Sequence, residues 1–134
     1  MSNSLVKKEI YIPQIEAVQQ AAERISKVAI KTPLAPSFTY SKRYEANIMF
    51  KREDLQQVRS YKIRGAYNKI SSLPLDQLSK GVICASAGNH AQGVAFACNK
   101  LEAKGVIFMP ITTPKQKVEQ TRMFGGKWVE VVLK

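Results

Sequence analysis

Gly81-Val82-Ile83-Cys84-Ala85, then Val106-Ile107-Phe108-Met109, then Trp128 to Leu133 are three apolar runs of strand length. Between them lie two stretches of helical character. Ala91 to Leu101 follows a turn at Gly88-Asn89, and a second stretch opens at Thr113-Pro114, continues to about Phe124 and stops at Gly125-Gly126. Proline is favoured at a first helical position and glycine just past a last one, so both punctuation marks fit. Pro110 closes the middle run. Strands alternating with helices predict an α/β fold: a parallel, twisted sheet with flanking helices and right-handed crossovers. In such sheets ligands bind outside the carboxyl ends of the strands.

Working back toward the start, Ile15, Val18, Ala22, Ile25 and Ala29 recur at helical spacing and predict an amphipathic helix from Ile15 to Ile30. Pro13 precedes it and Thr32-Pro33 follows. After a polar stretch, Asn47 to Lys51 reads as a short strand, and Lys62 to Ser72 as a helix with Ile63, Ala66, Tyr67 and Ile70 on one face. Ser60 is placed to cap that helix through its hydroxyl. Pro74 ends the run, and a short helical piece through Gln77 follows.

The chain has 134 residues, 45% of them hydrophobic and 23% charged, which suits a folded domain. No apolar run has the length of a membrane span, and Met1 to Glu9 lacks the apolar centre of a secretory signal, so a cytoplasmic protein with no membrane partner is expected. Twenty-one basic residues against ten acidic give a formal charge of +11. The basic residues are spread along the chain in runs of at most two, without zinc-finger or RNA-binding signatures, so no nucleic-acid partner is expected. Cys84 and Cys98 sit in apolar segments and read as reduced core thiols. With His90 the single histidine, no metal site is expected.

Two segments carry chemistry. In Ser60-Tyr61-Lys62-Ile63-Arg64-Gly65, a lysine stands at a helix N-terminus, where the dipole disfavours a cation. Only a neutral lysine amine attacks a carbonyl, so Schiff-base chemistry is one reading; a side chain reaching to water is the other. In Ala85-Ser86-Ala87-Gly88-Asn89-His90-Ala91-Gln92-Gly93, small and polar residues join a buried strand to a helix. Backbone N–H groups at a helix N-terminus suit a carboxylate or phosphate, though an ordinary turn has the same composition. The glycine spacing is neither that of a dinucleotide-binding loop nor of a P-loop, and Ser86 lacks a nucleophile elbow. Glu53 and Asp54 are adjacent, would face opposite ways on a strand, and read as solvated or paired with Arg52 or Arg59.

Taken together, Lys51-Arg52-Glu53-Asp54-Leu55-Gln56, Ser60 to Tyr67 and Ala85 to Gly93 closely resemble the threonine dehydratase family, pyridoxal-phosphate enzymes of the tryptophan-synthase-β fold type. The likeness extends through Phe108-Met109-Pro110 and Thr113-Pro114-Lys115-Gln116-Lys117 to Phe124-Gly125-Gly126. It implies pyridoxal 5'-phosphate as cofactor and Lys62 as the catalytic lysine that carries it as a Schiff base. Tyr61, usually Phe in the family, would pack beside the pyridine ring, and Asn89 would hydrogen-bond the ring hydroxyl. Ser86, Ala87, Gly88, Asn89 and His90 would hold the substrate carboxylate.

The implied reaction is dehydration and deamination of L-threonine to 2-oxobutanoate and ammonia, most simply in isoleucine biosynthesis, with L-serine as the nearest variant substrate. Serine racemases of this fold tend to carry Ser-Ser-Gly-Asn-His, and here the second serine is Ala87, which favours one-faced elimination. The resemblance also implies that residues 1–80 belong to a large cofactor domain and 81–134 to a smaller, incomplete one. Family members are longer, and a homo-oligomer is the expectation for the full-length form. The glycine-rich phosphate loop and the residue facing the pyridine nitrogen are expected beyond Lys134. The 134 residues alone are expected to be inactive, or to be a non-catalytic piece that binds an intact homologue.

Overall fold

The computed structural model describes residues 12–134; the leading segment Met1 to Glu9 lies outside them. In chain order the elements are α1 (Ile15–Ile25), β1 (Leu34–Pro36), α2 (Phe38–Tyr44), β2 (Met49–Lys51), α3 (Lys62–Ser71), α4 (Leu75–Leu78), β3 (Val82–Ala85), α5 (Asn89–Lys100), β4 (Gly105–Met109), α6 (Lys115–Gly125) and β5 (Val129–Leu133). Single 3-10 turns cover Glu53–Leu55 and Gly126–Trp128.

The second half is as the alternation predicts. β3, β4 and β5 form a parallel sheet in that order, with Val82 beside Gly105 and Gly105 beside Val129. The first half departs from it. β1 and β2 form a separate antiparallel pair, Ala35 opposite Phe50, and neither β1 nor α2 was legible in a stretch that reads as polar. α1 ends at Ile25, five residues early, where the Ser26 hydroxyl donates to the Glu23 carbonyl and the chain turns. Side-chain bonding back to the helix offers the backbone an alternative to propagation.

α5 is the spine of the fold. Every residue from Ala91 to Cys98 is buried, all small or apolar except Gln92, whose amide donates to Gln120, and such a helix lies inside its domain. It packs on α3, on α6 and on the sheet. Ala66, Ile70, Cys84, Val94, Cys98, Ile107, Met109 and Val118 form the principal core around it, and Phe96 joins Val28, Val58 and Ile63 in a second cluster toward α1. Both cysteines are buried and reduced, as expected. Burial, with Cys84 nearby, pushes the Cys98 thiol up to about 11, so it packs as a hydrophobe.

The contact between α3 and α5 is unusually close because Gly93 has no side chain. A Cβ there would lie 3.0 Å from the Lys62 carbonyl oxygen and 3.3 Å from the Ala66 Cβ. Gly65, on α3, is the opposite case, with nothing within 4 Å of its virtual Cβ.

α3 is also fastened from its other side. Glu53 lies on a 3-10 turn, not on a strand, and pairs with Arg64 instead of Arg52 or Arg59; Asp54 takes Arg52, as expected. Arg64 donates to both Glu53 oxygens, each at 2.8 Å, and to the Ile30 carbonyl at 3.0 Å. The Thr32 hydroxyl donates to Glu53 at 2.6 Å, and the buried Gln56 amide donates to Ile30 and to Glu53. The Lys51 ammonium donates to the Thr32 carbonyl. These donors, Arg64 first, hold the Glu53 carboxyl at about 2, well below the usual carboxylate range.

Two predictions follow from this packing. Gly93→Ala should destabilise the chain by about 1–3 kcal/mol in thermal unfolding, since the helices must part, whereas Gly65→Ala should be neutral or stabilise it by up to about 1 kcal/mol. Because the folded pKa of Glu53 lies below its unfolded value, its contribution is present at neutral pH and lost as pH falls from about 4.5 toward 2. Allowing for solvent screening, that contribution is about 1–2 kcal/mol, and Glu53→Gln should both lower the neutral melting temperature and flatten the acid limb.

Candidate active site

Lys62 is the first residue of α3. Tyr61 stands in the N-cap position with φ −63° and ψ −11°, and no side chain caps the helix. Ser60 therefore does not cap it as the sequence predicts. Tyr61 is already helical, so the serine falls one residue short of the capping position. Its hydroxyl is buried without a hydrogen-bond partner. The Lys62 ammonium rests 5.2 Å from the centre of the exposed Tyr61 ring, a cation–π distance.

The second segment also starts earlier than its sequence indicates. Gly88, extended at φ −128° and ψ −151°, is the N-cap of α5, so Asn89 and His90 occupy the first helical turn instead of a turn ahead of it. The Ser86 hydroxyl accepts the Gly88 N–H at 3.3 Å, and the Gly88 carbonyl accepts from Gln92. Asn89, His90 and Ala91 thus present the N–H groups that a helix leaves unpaired at its start. No acidic residue stands in that turn, so the positive end of the dipole is available to an anion. Ser86 is fixed to the sheet by its own N–H, donated to Phe108 at 3.0 Å.

A cavity of about 530 Å³ lies between α3 and β3 and brings Tyr61, Lys62 and His90 together with Ala85, across a floor of Gly65, Ala66 and Val94. Ser86 and Ala87 open instead on a neighbouring depression of about 370 Å³ at the carboxyl ends of β3 and β4, with Phe108, Met109 and Pro110. Ser86, Ala87 and Gly88 are half-buried and Asn89 is exposed; Gly88 and Asn89 line neither hollow. A Cβ at Gly88, like one at Gly65, would meet nothing within 4 Å, so there is open space at both glycines. The donor set, a primary amine on the same cavity as the first turn of a helix, with a hydroxyl on the neighbouring depression, suits a carbonyl compound that also carries anionic groups. Among the described residues no cluster has the composition of a metal site.

Sequence reasoning missed the Glu53–Arg64 pairing that fastens the lysine's helix. Eleven residues separate the partners, and only the fold turns Glu53 toward α3. Their common signal is the density of polar residues between Lys51 and Arg64 in a stretch that also has to be buried.

Comparison with known proteins gives a consistent picture. Residues 25–133 match the model of the family described as pyridoxal-phosphate dependent enzyme. The chain is 54% identical over 120 residues to the biosynthetic L-threonine dehydratase IlvA of Halalkalibacterium halodurans, covering 90% of this chain and 29% of that protein. It is thus similar to less than a third of that relative's length. Among solved structures it is similar to processed threonine deaminase isoform 2 of Solanum lycopersicum, with TM-score 0.72 and 44% identity over 91% of this chain and 36% of that one. It is also similar to maize serine racemase, with TM-score 0.83 and 33% identity over 92% of this chain and 36% of that one. With the family model matched over residues 25–133, most of its length, this chain belongs to the pyridoxal-phosphate-dependent enzyme family.

Proposed function

We propose that the chain is the N-terminal part of a pyridoxal-phosphate-dependent L-threonine dehydratase that forms 2-oxobutanoate and ammonia for isoleucine biosynthesis. The observation that carries this reading is the placement of Lys62 at the start of α3, on the same cavity as His90 in the first turn of α5. The likeness to biosynthetic threonine dehydratases supports the choice of substrate. Residues 1–80 would belong to the large domain and 81–134 to the small one. In full-length form the enzyme would act in the cytoplasm as a homo-oligomer.

Lys62 would hold the cofactor through its amine, Tyr61 would pack beside the ring, and Asn89 would hydrogen-bond the ring hydroxyl. When bound, pyridoxal 5'-phosphate supplies an electron sink for the charge left at the substrate Cα. Ser86, Ala87, Gly88, Asn89 and His90 receive the substrate carboxylate, largely through the N–H groups that open α5, where an anion is favoured. That fixes the amino acid with its Cα toward Lys62. Once the substrate's amine has taken its place, the freed Lys62 amine would take the Cα proton as general base. The β-hydroxyl leaves as water, one water is taken back up, and the nitrogen leaves as ammonia, so threonine is divided without net gain or loss of atoms.

Ala87 has no proton to exchange, which favours elimination from one face over racemisation. Serine fits the same scheme, with pyruvate as product. Large apolar residues at the surface, Ile83 at 77% exposed and Leu75 at 83%, support the expectation that the 134 residues alone do not turn over threonine.

Lys62 can be tested directly on the isolated chain. Pyridoxal phosphate followed by borohydride should modify Lys62 far above every other lysine in peptide mass maps. Lys62→Ala should abolish both that adduct and the visible absorbance band formed before reduction. Weak labelling spread over many lysines and unchanged by Lys62→Ala would contradict the assignment. In the full-length enzyme, Lys62→Ala should lower 2-oxobutanoate formation from L-threonine by at least about a hundredfold.

A further inference from the structure

We propose that Glu53 is a positioning residue for Lys62: clamped by Arg64, Thr32 and Gln56, its carboxylate fixes the first turn of α3 so that the lysine faces the cavity. The inference rests on the reading of Lys62 as the cofactor-bearing lysine. It starts from an anomaly in α3. That helix begins without a side-chain cap, has no acidic residue in its first turn, and carries two cations there, Lys62 and Arg64. Each of these features weakens a helix start. A helix so begun frays, and a frayed first turn would leave the lysine without a fixed direction.

Glu53 supplies what the helix lacks. Its carboxylate comes from outside the helix and accepts two hydrogen bonds from Arg64, the third residue of α3. Arg64 is two positions beyond Lys62, about 200° around the helix, so holding it at Glu53 turns Lys62 to the opposite side. Ile63, between them, is fully buried. The Lys62 carbonyl meets the bare backbone of Gly93. The first turn is therefore held on three sides and open on the fourth, where the cavity lies.

The carboxylate is itself immobilised. Thr32 is 3% exposed and Gln56 1% exposed; both donate to Glu53, and Gln56 also exchanges hydrogen bonds with the Ile30 backbone in both directions. Of the ion pairs among the described residues, Arg52–Asp54 and Lys115–Glu119 join well-exposed side chains, whereas the Glu53 side chain in the third is only 16% exposed. Exposed pairs add little, but a bidentate pair braced by buried donors holds a direction.

Lys69, on the same helix and lining the same cavity, serves as the internal reference. In the isolated chain at neutral pH, below the unfolding range of each variant, Glu53→Gln should lower the ratio of Lys62 to Lys69 labelling by pyridoxal phosphate and borohydride about tenfold. Amide exchange at residues 65–67, whose helical acceptors lie in the first turn, should quicken about tenfold while β4 stays unchanged. Thr32→Val, which removes one clamping donor but keeps the ion pair, should move both readouts in the same direction as Glu53→Gln and by less. A Glu53→Gln chain that melts earlier but keeps the parent's labelling ratio and exchange pattern would overturn the proposal, leaving Glu53 merely structural. If Lys62 of the parent does not label, the assignment of Lys62 fails, and exchange at 65–67 alone decides whether Glu53 holds the turn.

Discussion

The absence of a side chain at Gly93 is the constraint on which the rest depends. With the Lys62 carbonyl where a Cβ would come within 3.0 Å, α3 and α5 lie closer than any larger residue permits. That contact places the start of α3 beside the start of α5. α5 is a buried helix anchored on a parallel sheet, so its N-terminus is fixed by β3 and β4. The lysine inherits that fixed position through the glycine.

Charge arranges what packing brings near. One helix start carries a cation and the other has no acidic residue in its first turn, and the cavity lies between Lys62 of the first and His90 of the second. The half-buried carboxylate of Glu53 offsets the cations at the start of α3 from the side away from the cavity. Cys84 and Cys98, by contrast, have their thiols raised by burial and serve packing alone.

The parallel half of the fold was legible because each strand is an apolar run bounded by proline or glycine, and each helix is long enough for its period to show. The three strands from Val82 to Leu133 are found within a residue of their expected bounds. Short elements held together by tertiary contacts were not legible. β1 and β2 have three residues each and exist because they pair, and α2 follows from Ser37 through a stretch without strong periodicity. Lys62 and the run from Ser86 to His90 each carry a local chemical signature, and the family resemblance assigned both to one site. Of that run the structure brings His90 onto the cavity of Lys62, through a helix contact at Gly93 that no local pattern reveals. The Glu53–Arg64 pair was missed for the same reason: adjacency to Arg52 and Asp54 in sequence pointed to the wrong partner.

One nuclear magnetic resonance titration of the isotope-labelled chain tests the central claim most directly. A strong Overhauser contact should join the Gly93 α protons to the Ala66 methyl group. Adding pyridoxal phosphate should then shift resonances of residues 61–66 and 85–90 together while the far face of the sheet stays still. A missing Gly93–Ala66 contact, or shifts in only one of the two segments, would contradict the account that the helix contact builds the site.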